Sequence, residues 1–286
     1  MDRRKTLGVL YVLGAGFGFA LMGLFVRMAG DIPTFEKVFF RNLIAAVITS
    51  ALIVQNRKAI ALNAGDWGYL FLRALCGTVG VICNFYALDH MNIADASILN
   101  KLSPFFAVAG GYFLIKEKLH TVDVLALMAA FTGAVFVAKP GANMAFLVAL
   151  IGAAGGLLAG LAYTFVRILS KRGTPGYVII FSFSAFSCLS SLLFIMMDFT
   201  MPSFPQLCML LGSGCAGMMG QLCITRAYTC APAKEISVFD YTQVVFSALL
   251  GFVFLGQIPD RWSVMGYGII IGTAIMKWQY NLRRGE

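Results

Sequence analysis

Two side chains of opposite charge stand deep inside runs of apolar residues. Lys101 lies in the segment ILNKLSPFF (98–106), within a run from Ile93 to Ile115, and Asp240 lies in SVFDYTQVVF (237–246). An ammonium at the centre of a lipid-spanning helix costs about 2.5–3.5 kcal/mol on insertion scales, so it calls for a wet cavity or a partner. On a helical wheel, Ser97, Asn100, Lys101, Ser103, Pro104, Ala107 and Gly111 share one arc, with Leu99, Leu102, Phe106 and Phe113 opposite. On the second run Ser237, Asp240, Tyr241, Gln243, Val244, Ser247 and Gly251 form an equivalent arc. The two faces are expected to meet across a central cavity, with Lys101 and Asp240 close enough to pair. Such a pair has two chemistries. It can be a static tie between helices, or a site that binds the charges of a substrate or carries a proton. Pro104 removes one backbone hydrogen bond and can kink its helix, and the freed carbonyl then needs a partner.

Other polar groups extend this set. Asn84, Tyr163, Gln221 and Thr225 fall deep in apolar runs, where each can bond a neighbouring helix or supply a cavity donor. The candidate substrate-binding set is therefore Lys101, Asn100, Asp240, Tyr241, Ser97, Ser237 and Gln243, with Asn84, Tyr163 and Gln221. Asp240 reads as the only carboxylate deep within a run. Glu36, Lys37 and Arg41 are expected near the outer end of theirs, Lys37 in the outer loop. Arg27, Arg41, Arg73, Arg167 and Arg226 are expected to reach outward to the interface, as long cationic side chains do; the alternative for Arg41 is to line the outer mouth, with Glu36 compensating its charge. The seven cysteines form no C-x-x-C pair, and no metal-ligand grouping or H-E-x-x-H occurs. Gly14-x-Gly16-x-Gly18 lacks the strand that a nucleotide fingerprint follows. No catalytic residue, cofactor or metal is assigned.

The elements that position these groups follow from composition. Of 286 residues, 59% are hydrophobic and 12% charged, against roughly 25% charged in a soluble domain. With a mean hydropathy of +0.83, the outside is apolar as well as the core, so the surrounding medium is lipid. Crossing ~30 Å of hydrocarbon takes about 20 helical residues. Runs of that kind are expected near 7–29, 35–55, 67–88, 93–115, 122–138, 145–168, 177–198, 205–229, 234–255 and 261–281. The first run exceeds a signal-peptide core and nine spans follow it, so it reads as a span. With the N-terminus inside, Arg3, Arg4, Lys5, Arg57, Lys58, Lys116, Lys118, Lys171, Arg172, Lys234, Lys277, Arg283 and Arg284 fall on the inner side. Lys37, Lys139 and Arg261 fall outside. The positive-inside rule then places both termini in the cytoplasm of a plasma-membrane protein. This asymmetry accounts for the net charge of +9 without a nucleic-acid partner.

The chain also matches itself at an offset of 140. Phe25-Val26-Arg27 corresponds to Phe165-Val166-Arg167, and Gly77, Gly80 and Cys83 to Gly217, Gly220 and Cys223. Ser97, Phe106 and Gly111 correspond to Ser237, Phe246 and Gly251. Each half, 1–140 and 141–286, then holds five spans. Five is odd, so the second copy enters the membrane from the opposite side. The expected fold is an all-α integral membrane protein of ten transmembrane helices in two inverted five-helix repeats, the architecture of many secondary transporters. Gly152, Gly156 and Gly160 on the sixth span, and Gly212, Ala216 and Gly220 on the eighth, are spaced for close internal packing rather than for a dimer seam.

Specific segments carry a family resemblance. They include Arg73-Ala74-Leu75 with Gly77, Phe85-Tyr86-Ala87-Leu88, Ala94-Asp95-Ala96-Ser97, Ser103-Pro104-Phe105-Phe106, Lys116-Glu117-Lys118-Leu119, Gly133 and Lys139-Pro140. In the second half they are Glu235-Ile236-Ser237-Val238-Phe239-Asp240-Tyr241 and Gly251. On these the chain resembles the EamA type of the drug/metabolite transporter superfamily over essentially its whole length. The resemblance implies secondary transport of a small metabolite, a cavity framed by both halves, and peripheral fifth and tenth spans. The family's Glu after span four stands here as Glu117, whereas its counterpart after span nine is Gln257, which suits a cap or anchor for a turn. A carboxylate-bearing solute, an amino acid or organic acid, suits Lys101, and a zwitterion would use Asp240 as well. Titration of Asp240 offers coupling to a proton. Expected partners are that solute and membrane lipid, with monomer and dimer both open. A membrane-embedded enzyme or a channel is the alternative.

Overall fold

The computed structural model describes residues 3–55, 65–116, 120–139, 144–230 and 237–284. Segments 56–64, 117–119, 140–143 and 231–236, which hold Arg57, Lys58, Glu117, Lys118, Pro140, Lys234 and Glu235, lie outside the described residues, as do the side chains of Ser237 and Thr225. The described residues form helices α1 (Arg3–Met28), α2 (Thr34–Gln55), α3 (Asp66–His90), α4 (Ile93–Asn100), α5 (Ser103–Ile115) and α6 (Thr121–Ala138) in the first half. The second half holds α7 (Met144–Lys171), α8 (Gly176–Ile195), α9 (Phe204–Cys230), a 3₁₀ turn (Ser237–Tyr241), α10 (Thr242–Leu255) and α11 (Arg261–Arg284). Eight spans are continuous, long and apolar enough to cross a bilayer, the 3₁₀ turn and α10 together making one of them. The expected fourth span is instead broken into α4 and α5, and α11 supplies the tenth. Outward faces are apolar: Leu189, Leu193, Val245, Phe252 and Val253 are all exposed, as a chain bathed in hydrocarbon requires.

Packing follows the duplication. α1 lies along α9 and α3 along α7; α5 packs on α7 and α10 on α1; α2 meets α9 and α3 meets α8. Exchanging every element for its counterpart at offset 140 converts the first member of each pair into the second. Two further contacts, α2 with α8 and α6 with α11, are counterparts meeting each other, and α4 also meets α10. Five spans per unit and this exchange make the two copies inverted about an axis in the membrane plane. α6 and α11 pack chiefly against one another, at the edge of the bundle.

Glycines set the closest approaches. A Cβ on Gly18 would sit 2.9 Å from the backbone nitrogen of Gly220, and one on Gly155 would sit 3.1 Å from the carbonyl of Gly80. Gly80 and Gly220 are counterparts, so one small residue, used twice, lets α3 meet α7 and α9 meet α1. The glycine stripe on α7 is occupied from within: Gly156 faces the carbonyl of Leu99, and Gly160 faces Ser103 and Phe106. Helix ends repeat too, since Lys116 after α5 and Gly256 after α10 are both left-handed, at φ 56° and φ 62°. Beyond α10, Asp260 caps α11 by accepting the Ser263 N–H at 2.8 Å and pairs with Lys139 at 2.6 Å. Slight burial pushes the Asp260 carboxyl up, but these bonds prevail and hold it below the ordinary carboxylate range.

Candidate functional site

The break in the fourth span has a local cause. Pro104 has no N–H to give the carbonyl four residues back, and its ring crowds that turn. The Lys101 N–H still bonds Ser97 at 3.0 Å, but the Phe105 N–H turns to the carbonyl of Leu102, also at 3.0 Å. The Lys101 carbonyl is thereby left to the Tyr241 hydroxyl, which donates to it at 3.2 Å. Tyr241 is the counterpart of Lys101, so the two repeats touch at equivalent points. On its side the chain winds as the 3₁₀ turn before α10 begins.

At this crossing Lys101 Nζ donates to Asp240 Oδ2 at 2.5 Å, with side chains 8% and 19% exposed. The ammonium therefore points to the ninth span and away from lipid. Asp240 Oδ1 is buried without a hydrogen-bond partner, so half of the carboxylate remains able to accept. Ser97, one helical turn before Lys101, is buried and bonds the Ser247 hydroxyl at 2.9 Å. Gln243 is buried where α10 crosses Gly16 of α1. Asn100 ends α4 half-buried beside Gly156 of α7. Lys101, Asp240, Tyr241 and Ser97 thus gather where the broken fourth span crosses the 3₁₀ turn before α10. Asn84 is buried in the contact of α3 with α7, and Gln221 is half-buried on α9. Tyr163 on α7 is 54% exposed and belongs to a different group of charges, described below.

Several charges lie elsewhere than expected. Lys37 is not in an outer loop but fully buried, donating to Asp89 at 2.6 Å and to the carbonyl of Gly30 at 2.8 Å. It sits where the turn between α1 and α2 meets the end of α3. Glu36 beside it is also buried and accepts the Thr200 N–H at 2.8 Å. Asp95, the third residue of α4, is also buried and accepts the Tyr267 hydroxyl of α11 at 2.5 Å. Arg41 and Arg73 do not reach to the interface. They turn inward onto Phe183 of α8, with guanidinium carbons 5.4 Å and 4.4 Å from the ring centre. In each case neighbouring helices cover a position that a single-helix reading assigns to the surface. Gln257 does anchor a turn, its Oε1 accepting the Ile93 N–H at the start of α4 at 3.0 Å.

Comparison with known proteins places this geometry. Residues 6–139 and 146–277 each match the model of the EamA-like transporter family. The chain is 31% identical over 277 residues to a pseudopaline exporter, CntI, of Pseudomonas aeruginosa, covering 96% of each protein. It is 26% identical to human solute carrier family 35 member G1, covering 95% of this chain and 80% of that one. A riboflavin transporter of Vibrio cholerae is 24% identical, with 98% and 96% covered. A solved crystal structure superposes with a TM-score of 0.67 at 17% identity over 98% of this chain, which speaks for the fold alone.

Proposed function

Because the chain belongs to the EamA-like transporter family, and is a membrane transporter rather than an enzyme, we propose that it carries a small metabolite of the amino-acid or organic-acid type by alternating access. The observation that carries this reading is the Lys101–Asp240 pair, held at 2.5 Å where the broken fourth span of one half crosses the 3₁₀ turn of the other. A buried pair is strong while closed and costly when one partner is lost. A bound solute with a carboxylate and an amine can replace each partner in turn, and a proton on Asp240 would also release Lys101. Rocking of the halves, 1–140 against 141–286, about this crossing then presents the site to either face. The positive-inside rule supports a plasma-membrane protein with both termini cytoplasmic. The cargoes named for the relatives differ, so none is transferred here.

The test is counterflow in proteoliposomes loaded with a mixture of amino acids and organic acids, using one labelled member at a time. Lys101→Met and Asp240→Asn are each expected to lower exchange of the accepted solute at least about tenfold. Full exchange by both variants would leave the pair a static tie. No exchange by the unaltered protein, for any solute of these classes, would reject the substrate class.

A further inference from the structure

Arg41 and Arg73 enter the membrane from opposite faces and end at one ring. Each stands seven residues into its helix, from Thr34 of α2 and from Asp66 of α3, or roughly 10 Å deep at 1.5 Å per residue. Consecutive spans run antiparallel, so these depths are measured from opposite sides. Both guanidiniums lie over the buried ring of Phe183. Glycines make the room. A Cβ on Gly77 would overlap Arg73 Nη1, and one on Gly217 would sit 3.6 Å from Arg41 Nε and 2.9 Å from Met22 Sδ. Gly77 and Gly217 are counterparts at offset 140, whereas the counterparts of Arg41 and Arg73 are Phe181 and Ser213. The space is therefore duplicated and the charge is not.

This half-buried pair differs from the two buried lysines. Lys37 has Asp89, and Lys101 has Asp240. Arg41 donates only to the neutral Asn42 side chain at 2.8 Å, and Nε and Nη1 of Arg73 are buried with no hydrogen-bond partner. Among the described residues no ion pair joins either guanidinium to a carboxylate. The groups within electrostatic reach are Tyr163 and Cys188 for Arg41, besides Arg73 itself, and Tyr163 and Cys76 for Arg73. Two like charges gathered at one ring with no carboxylate beside them are costly unless an anion completes them. Tyr163, within electrostatic reach of both, is 54% exposed.

We propose that Arg41 and Arg73, gathered over Phe183, form a recognition site for an organic anion bearing two or more carboxylates. Each guanidinium offers a planar fork matched to one carboxylate, and the ring holds the carbon frame that joins them. The assignment rests on the transporter reading only in making this anion the cargo; binding is testable without transport.

Purified full-length protein in detergent is melted with acetate, succinate, citrate or inorganic phosphate. Succinate and citrate are expected to raise the melting temperature, citrate most, with acetate and phosphate giving little. Arg41→Gln and Arg73→Gln should each weaken citrate at least about tenfold, the scale of one charge-assisted contact. Arg73→Lys, which keeps the charge without the fork, should fall between. Without ligand, Arg73→Gln should melt no lower than the unaltered protein, because it removes an unpaired buried charge. The proposal is overturned if no carboxylate stabilises the protein, or if the citrate effect survives both Gln variants. It also falls if phosphate alone stabilises, or if ligand-free Arg73→Gln melts markedly lower, the mark of a structural cation. Citrate binding without counterflow would count against the transport reading and leave the site intact.

Discussion

Lys101 and Asp240 each surrender hydration to meet the other, so their worth depends on both being present. Removing one partner strands a charge in a site where the side chains are 8% and 19% exposed. Breaking a buried pair in this way costs about 3–5 kcal/mol, whereas replacing both with apolar groups is far milder. Lys101→Met and Asp240→Asn should each lower the melting temperature in detergent, and Lys101→Met with Asp240→Leu should recover most of the loss. Additive losses in the double variant would mean that the two side chains do not depend on one another. This pair was legible in the sequence because a lone Lys and a lone Asp inside apolar runs leave each other as the obvious partner. Arg41, Arg73 and Lys37 were not. A long cationic side chain near a helix end can reach outward or inward, and the choice is made by neighbours on other helices. Gly77 and Gly217 open the space at the two arginines, and Asp89 draws Lys37 in.

At the scale of the helix, α7 is the wall against which the broken span is set. Its glycines at 152, 156 and 160 admit Leu99, the Leu99 carbonyl and Ser103 with Phe106. A Cβ at Gly156 would come within 2.5 Å of that carbonyl, and backbone cannot rotate aside as a side chain can. Gly156→Val should therefore destabilise by about 1–3 kcal/mol, and it should shift the Lys101 end of α4 enough to impair counterflow. Gly268→Ala on α11, where an added Cβ meets nothing within 4 Å, serves as the control and should melt like the unaltered protein. Equal melting of both variants would show that α4 is free to move off α7. The ten spans and the packing use of these glycines were readable from apolar run length and fourfold spacing. The break at Lys101 was readable only as a kink at Pro104. Its extent depends on Tyr241 of the other half taking up the freed carbonyl, and no local pattern encodes that contact.

The whole molecule combines a symmetric frame with an asymmetric lining. Every principal packing pair has a counterpart under the exchange of halves, while Lys101 faces Tyr241, Asn100 stands where the other half has Asp240, and the arginine pair occurs once. Under the proposed rocking, symmetry of the frame would give the two halves equivalent ways to open, and asymmetry of the lining would let one cargo be bound in both. Opening at a given face must separate elements that meet there. At the face shared by Lys37 and Asp89, α2 and α8 are joined by Phe35 stacked on Phe194 with ring centres 4.2 Å apart, and Glu36 of α2 bonds Thr200 in the segment just after α8. α2 and α8 are counterparts, so they belong to different halves and must part at one end if the halves rock. Phe35→Cys with Phe194→Cys, in a background whose seven native cysteines are replaced by serine or alanine, can be bridged by a short, reducible bis-thiol reagent. Bridging should stop counterflow, reduction should restore it, and either single cysteine should be unaffected by the reagent. Undiminished exchange in the bridged protein would place the motion elsewhere and would rule out rocking of α2 against α8 as the step that opens this face.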